Sequence, residues 1–103
     1  MIDAPIQLCI EATHPALPGH FPGQPIVPGV VLLDSVVAAL GVRDVRVTGV
    51  RKVKFLAPLP PGEPVALEFG TVKGDSLRFT LRTPGTDILI AEGNLDLTPR
   101  GGA

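Results

Sequence analysis

The stretch "GHFPGQPIVPGVVLLD", residues 19–34, decides how the rest of the chain is read. Prolines stand at every third position, Pro22, Pro25 and Pro28. Each fixes its own φ and pushes the residue before it towards extended backbone. The spacing therefore predicts a stiff, polyproline-like path, which repeats every three residues. Pro28 and Gly29 then open an apolar run, and Gly41 follows it as a stop signal. This pattern predicts a helix over 29–40, about 18 Å long. Only Asp34 and Ser35 interrupt its apolar surface, and a helix of that kind is expected to be buried all round. An ionised carboxylate alone in such a place would be very costly. Asp34 must be paired, hydrogen-bonded or protonated, or else face a gap in the cover and be solvated.

The flanking sequence reads as strands. "IQLCI" alternates, with Ile6, Leu8 and Ile10 on one side. "VRVTGVRKVKFLA" puts Val45, Val47, Val53 and Phe55 on one face and Arg46, Lys52 and Lys54 on the other. Gly49 and Val50 break that alternation, which predicts a bulge or bend there. "VALEFGTV" places Val65, Leu67 and Phe69 inward, and "SLRFTLR" does the same with Leu77, Phe79 and Leu81. "KGDS" joins these two as a hairpin, "PLPPGEP" and "PGTD" are turns, and "ILIAEGNLDL" is the last strand. One apolar helix and about five strands with short connections imply an α+β fold, an antiparallel sheet wrapped round a central helix.

Composition narrows the function. The 103 residues read as a single domain, 1–103, with 98–103 as a loose tail. The net charge of −1 gives no pull towards nucleic acid or a membrane. The N-terminal residues have neither the basic patch nor the apolar length of a signal peptide. "VVLLDSVVAALGV" is shorter than the roughly 20 apolar residues of a membrane helix and is broken by Asp34. A lone cysteine, Cys9, excludes a disulfide framework; it points to a packing role and a cytoplasmic setting.

The chemistry concentrates in the opening stretch. The stiff segment would hold His20 at a defined place and deliver the chain to a helix N-terminus at Gly29. Helix N-termini carry unpaired N–H groups and a positive dipole end. A base, a protonatable acid and an oxyanion-type donor thus lie within 15 residues, His20 to Asp34. That combination suits acid–base chemistry beside a carbonyl. Other residues carry less. His14 reads as an exposed loop residue, and a metal site of His14, His20 and Asp34 has no ligand spacing behind it. Ser35 lies on a buried helix rather than an exposed elbow, which argues against a nucleophilic serine. Arg43, Arg46, Arg51, Lys52 and Lys54 read as the solvated side of a strand, with docking of an acidic carrier protein as a second reading.

These residues resemble the active-site segment of the hotdog-fold 3-hydroxyacyl-acyl-carrier-protein dehydratases, the FabA/FabZ-like group. The family pattern is H-F-P-x-x-P-x-x-P-G-V with an acid fourteen residues after the histidine, matched here by His20 and Asp34. "GVRKVKFLAPLPPGEPVALEF" resembles the family's strand–turn–strand. The resemblance implies a hotdog fold and removal of water from a 3-hydroxyacyl thioester on a phosphopantetheine arm, without a cofactor. By the resemblance, His20 takes the C2 proton, Asp34 protonates the leaving hydroxyl and the N–H of Gly29 polarises the thioester carbonyl. Phe21, Ile26, Pro28 and Val30 would line the substrate site, with the Ile26 carbonyl orienting His20. It also implies a homodimer or higher oligomer that shares its sites between subunits, and an acyl carrier protein as partner. Ala38 replaces the glutamine many members carry four residues after the acid, and fewer residues precede His20 than in the housekeeping enzymes. Both differences favour an accessory member from a specialised lipid, polyene or polyketide pathway. A thioesterase on the same fold and a non-catalytic acyl-binding relative are the alternative readings.

Overall fold

The computed structural model describes residues 5–11 and 26–97. Its elements run β1 (Ile6–Leu8), α1 (Gly29–Gly41), β2 (Val47–Phe55), β3 (Val65–Lys73), β4 (Ser76–Arg82) and β5 (Leu89–Leu97). All strands join one antiparallel sheet in the order β1-β3-β4-β5-β2. The two strands that flank α1 in sequence are therefore the two edges of the sheet, and the helix runs between them. The expected helix, the four long strands and the hairpin are all present. The expected tail at 98–103 lies outside the described residues.

One face of the sheet is apolar because alternate residues share a side. Val65, Leu67, Leu77, Phe79, Leu81, Ala91 and Leu95 are buried there. From α1 come Val31, Leu32, Val36, Ala39 and Leu40 to complete the core. The packing is close enough to need a glycine. A methyl group at Gly93 would lie 2.6 Å from Val53 Cγ2, 2.9 Å from Val53 Cα and 3.2 Å from Phe79 Cε1.

The edge strand β2 holds its pattern through two irregularities. Val47 pairs with Leu97 but Gly49 with Asp96, which leaves Thr48 as an extra residue beside the predicted site. A second extra residue falls between Arg51 and Lys54, where Lys52 takes a φ of 51°. Each extra residue shifts the alternation by one. Two shifts cancel, so Val47 and Phe55 face the same side, as the sequence predicts.

The helix departs from expectation in two ways. It is not buried all round: Val30 is 64% exposed, and Asp34 and Ala38 on the same stripe are exposed as well. The sheet covers one side of the helix and leaves the other open. The helix also runs through Gly41 rather than stopping there. The chain turns at Asp44, with a φ of 60°. Val45 N–H donates to the Leu40 carbonyl at 3.0 Å and Asp44 N–H to the Gly41 carbonyl at 3.1 Å, the paired bonds of a Schellman motif. Aspartate tolerates this left-handed conformation better than most residues do. Cys9, expected to pack, is exposed beyond the short β1.

These contacts set opposite expectations for two glycines. Gly93→Ala must push Val53 backbone aside and should destabilise the fold by about 1–3 kcal/mol. Gly41→Ala meets nothing within 4 Å on an exposed helical position. It should stabilise by about 0.5–1 kcal/mol, the ordinary helix preference of alanine over glycine. Urea unfolding midpoints of the two variants should move in opposite directions.

Candidate functional site

The approach to the helix is fixed by hydrogen bonds and by proline. Val27 is buried, and its N–H donates to the Leu59 carbonyl at 2.8 Å. Pro28 is extended, at φ −61° and ψ 145°, and hands the chain to the helix at Gly29. Its carbonyl accepts from Val31 N–H at 3.0 Å and Leu32 N–H at 3.3 Å. No side chain of Pro28 can cap the helix, and the first turn holds no acidic residue. Gly29 and Val30 therefore bring N–H groups that the helix itself does not satisfy, at the positive end of its dipole.

Asp34 lies five residues on, about 7.5 Å along the helix axis. It shares the exposed stripe with Val30 and Ala38. No ion pair among the described residues engages it. Beside it, the Ser35 hydroxyl donates to the Val31 carbonyl at 3.0 Å, which occupies that hydroxyl within the helix. The carboxylate thus faces away from the protomer's own core, between apolar neighbours. That position lets it act on a molecule brought against the open face of the helix.

Phe55 belongs to this region, and the sequence reading did not assign it there. A methyl group at Gly29 would lie 2.7 Å from Phe55 Cζ, 2.8 Å from Cε2 and 2.9 Å from Cε1. Three nearly equal distances mean that the ring covers the glycine with its face, not its tip. The signal was available: strand alternation put Phe55 inward, and a glycine opens the helix. What it lacked was a reason to connect two residues 26 positions apart.

The structure brings Ile26, Pro28, Gly29, Val30 and Asp34 into one continuous segment. Ile26 and Pro28 are half-buried. His14, His20 and Phe21 lie outside the described residues. The basic run is dispersed. Arg43 Nη1 donates to the Ala39 carbonyl at 2.9 Å, near the end of the helix. Arg51 pairs with Asp96 at 2.8 Å, and Lys52 and Lys54 are exposed on β2. Among the described residues no three His, Cys, Asp or Glu side chains gather where a metal ion could be held.

Among the described residues, one helix cradled by a five-stranded antiparallel sheet, with a proline-led helix N-terminus and an acid on the helix, defines a hotdog-fold protein of the dehydratase type. The model of the ApeI-like family, described as ApeI dehydratase, matches residues 3–94, and the chain belongs to that family. Curated relatives include the 3-hydroxyacyl-acyl-carrier-protein dehydratase FabZ of Chlamydia trachomatis, 33% identical over 101 residues. That alignment covers 84% of this chain and 65% of the relative, so the chain spans less than two thirds of that protein. FabZ of Syntrophobacter fumaroxidans is 27% identical over 99 residues, covering 84% of this chain and 67% of the relative. Among solved structures, the dehydratase heterocomplex ApeI:P of Xenorhabdus doucetiae matches with a TM-score of 0.74 and 26% identity. It covers 96% of this chain and 100% of that one. An uncharacterized protein of Erwinia carotovora subsp. atroseptica matches with a TM-score of 0.75 and 26% identity, covering 93% and 82%.

The exposure of Asp34 separates its use from folding. Asp34→Asn keeps the shape and removes the charge from an exposed position. It should change the unfolding free energy by less than about 0.5 kcal/mol, as surface changes do. Denaturant titration of the variant beside the parent protein checks this.

Proposed function

We propose that the protein is a dehydratase that removes water from a 3-hydroxyacyl thioester, carried on an acyl carrier protein, to give the trans-2-enoyl thioester. The observation that carries the reading is the pairing of a helix N-terminus at Gly29 with a carboxylate at Asp34 on the open side of the same helix. Family membership supplies the reaction class. In this reading the thioester carbonyl accepts from Gly29 N–H, so that negative charge building on its oxygen is stabilised. His20 removes the C2 proton, and Asp34 gives a proton to the departing 3-hydroxyl, which leaves as water. Electrons of the C2–H bond become the new C2–C3 double bond as the C3–O bond breaks. Ile26, Pro28, Val30 and Phe21 line the approach, and the Ile26 carbonyl holds His20 through its other ring nitrogen.

A second subunit completes the site in this proposal. The stripe of Val30, Asp34 and Ala38 is open in one protomer, and burying such apolar surface favours association. The Xenorhabdus match is itself a dehydratase heterocomplex, which supports an assembly of more than one subunit. A second copy of this chain is the partner proposed here, with each site taking His20 from one subunit and Asp34 from the other. A specialised lipid, polyene or polyketide pathway is the proposed setting.

Hydration of a 2-enoyl thioester, the reverse reaction, tests the assignment through loss of the enoyl absorbance. His20→Ala should abolish it. Asp34→Asn should lower it at least about 100-fold, the scale of a lost general acid. A parental rate in either variant would remove that residue from the mechanism, and release of free thiol would indicate a thioesterase instead. Sedimentation should give a dimer at micromolar concentration; a stable monomer with full activity would end the shared-site proposal.

A further inference from the structure

Phe55 is the one aromatic ring at the helix N-terminus, among the described residues, and it is 49% exposed. An exposed ring of this size forgoes much of the gain its burial would bring. Its position is nevertheless well fixed. Phe55 pairs with Ala91, which is fully buried, and the next residue, Leu56, donates its N–H to the Ile90 carbonyl at 2.8 Å. The strand end that carries the ring is therefore anchored on its neighbour β5.

The ring covers the point where a Gly29 side chain would begin. Side chains of a helix lean towards its N-terminus. A ring over the vacant Cβ position at the first helical residue therefore stands close to the first N–H groups. One half of this corner is polar, the N–H groups of Gly29 and Val30. The other half is apolar, the half-exposed Phe55 ring. A thioester has the same division: a carbonyl oxygen that accepts hydrogen bonds, flanked by sulfur and carbon that do not.

We propose that Phe55 is a substrate-positioning residue, its ring forming the wall against which the thioester lies while Gly29 N–H holds the carbonyl. This rests on the dehydratase reading and adds a residue to it. The wall touches the reacting end of the acyl group, so its effect is independent of acyl length. Glycine at position 29 keeps the ring close to the donor, since any larger residue would push it away.

The test compares Phe55→Ala and Phe55→Leu in the full chain, with short and long 2-enoyl pantetheine thioesters. Misplacement at a reacting centre costs up to about 100-fold. Phe55→Ala should lower kcat/KM by about 10- to 100-fold, by the same factor for both lengths, and Phe55→Leu should recover most of it. Sedimentation of both variants should match the parent. Calorimetric binding of a saturated acyl-pantetheine thioester should weaken in Phe55→Ala and recover in Phe55→Leu. This second readout needs no turnover, so it separates failure of the wall from failure of the dehydratase reading. An inert parent protein that still binds the saturated thioester through Phe55 would overturn the reaction and keep the wall. Unchanged kinetics and binding in Phe55→Ala would overturn the proposal. So would a loss that grows with acyl length, which would place the ring along the tail, or a loss matched by dissociation of the assembly.

Discussion

A single sheet can cover only one side of a helix, and this constraint organises the molecule. Helix α1 gives five residues to the core, Val31, Leu32, Val36, Ala39 and Leu40. Its opposite stripe, Val30, Asp34 and Ala38, stays open. The sheet has strands β1 and β2 at its edges, and the described residues form no second sheet layer on it. The acid is thereby kept out of the protomer's core, where an unpaired carboxylate would be costly to hold. It sits instead on the exposed stripe of the helix, where water can solvate it. The core-forming residues and the carboxylate are divided between the two sides of one helix.

Two glycines tie that helix and sheet together at close range, by different means. Gly93 lets the backbone of the edge strand approach β5 and leaves room for Phe79 in the core. Gly29 admits a ring from that same edge strand onto the start of the helix. Both contacts depend on the register of β2 against β5. The position of the ring beside the helix donors is therefore a property of the sheet, transmitted through Val53 and Phe55, as much as of the local sequence around Gly29.

Much of this was legible in the sequence. Alternation located the strands because one face of the sheet is apolar and the other solvated. Pro28 and the apolar run located the helix start because proline suits the first turn. The helix end was misread because glycine is the usual left-handed residue, whereas here Asp44 takes that role and Gly41 stays helical. The helix was expected to be buried on all sides because its composition is apolar all round; composition cannot say whether the cover comes from the same chain. Cys9 was expected to pack, but β1 ends before it. The second irregularity of β2 was missed because lysine rarely adopts a positive φ, so Lys52 gives no turn signal. In the candidate site, the helix start and the acid came from a contiguous motif. Phe55 did not, because its neighbour in space is distant in sequence.

The two extra residues of β2 also constrain how this strand can change in length. Thr48 and the residue between Arg51 and Lys54 each invert the side on which everything beyond them lies. Were either bulge flattened with its extra residue kept in the strand, residues on one side of it would turn over, Lys54 towards the helix and Phe55 towards solvent, whereas deleting the extra residue itself closes the ladder and leaves the paired residues on their present sides. A single deletion is therefore absorbed at Thr48 or between Arg51 and Lys54, where a surplus residue stands, and is disruptive in the paired stretches beside them. The strand behaves as a parity code, in which the number of irregularities, even or odd, decides whether an aromatic ring or a cation stands at the start of the helix.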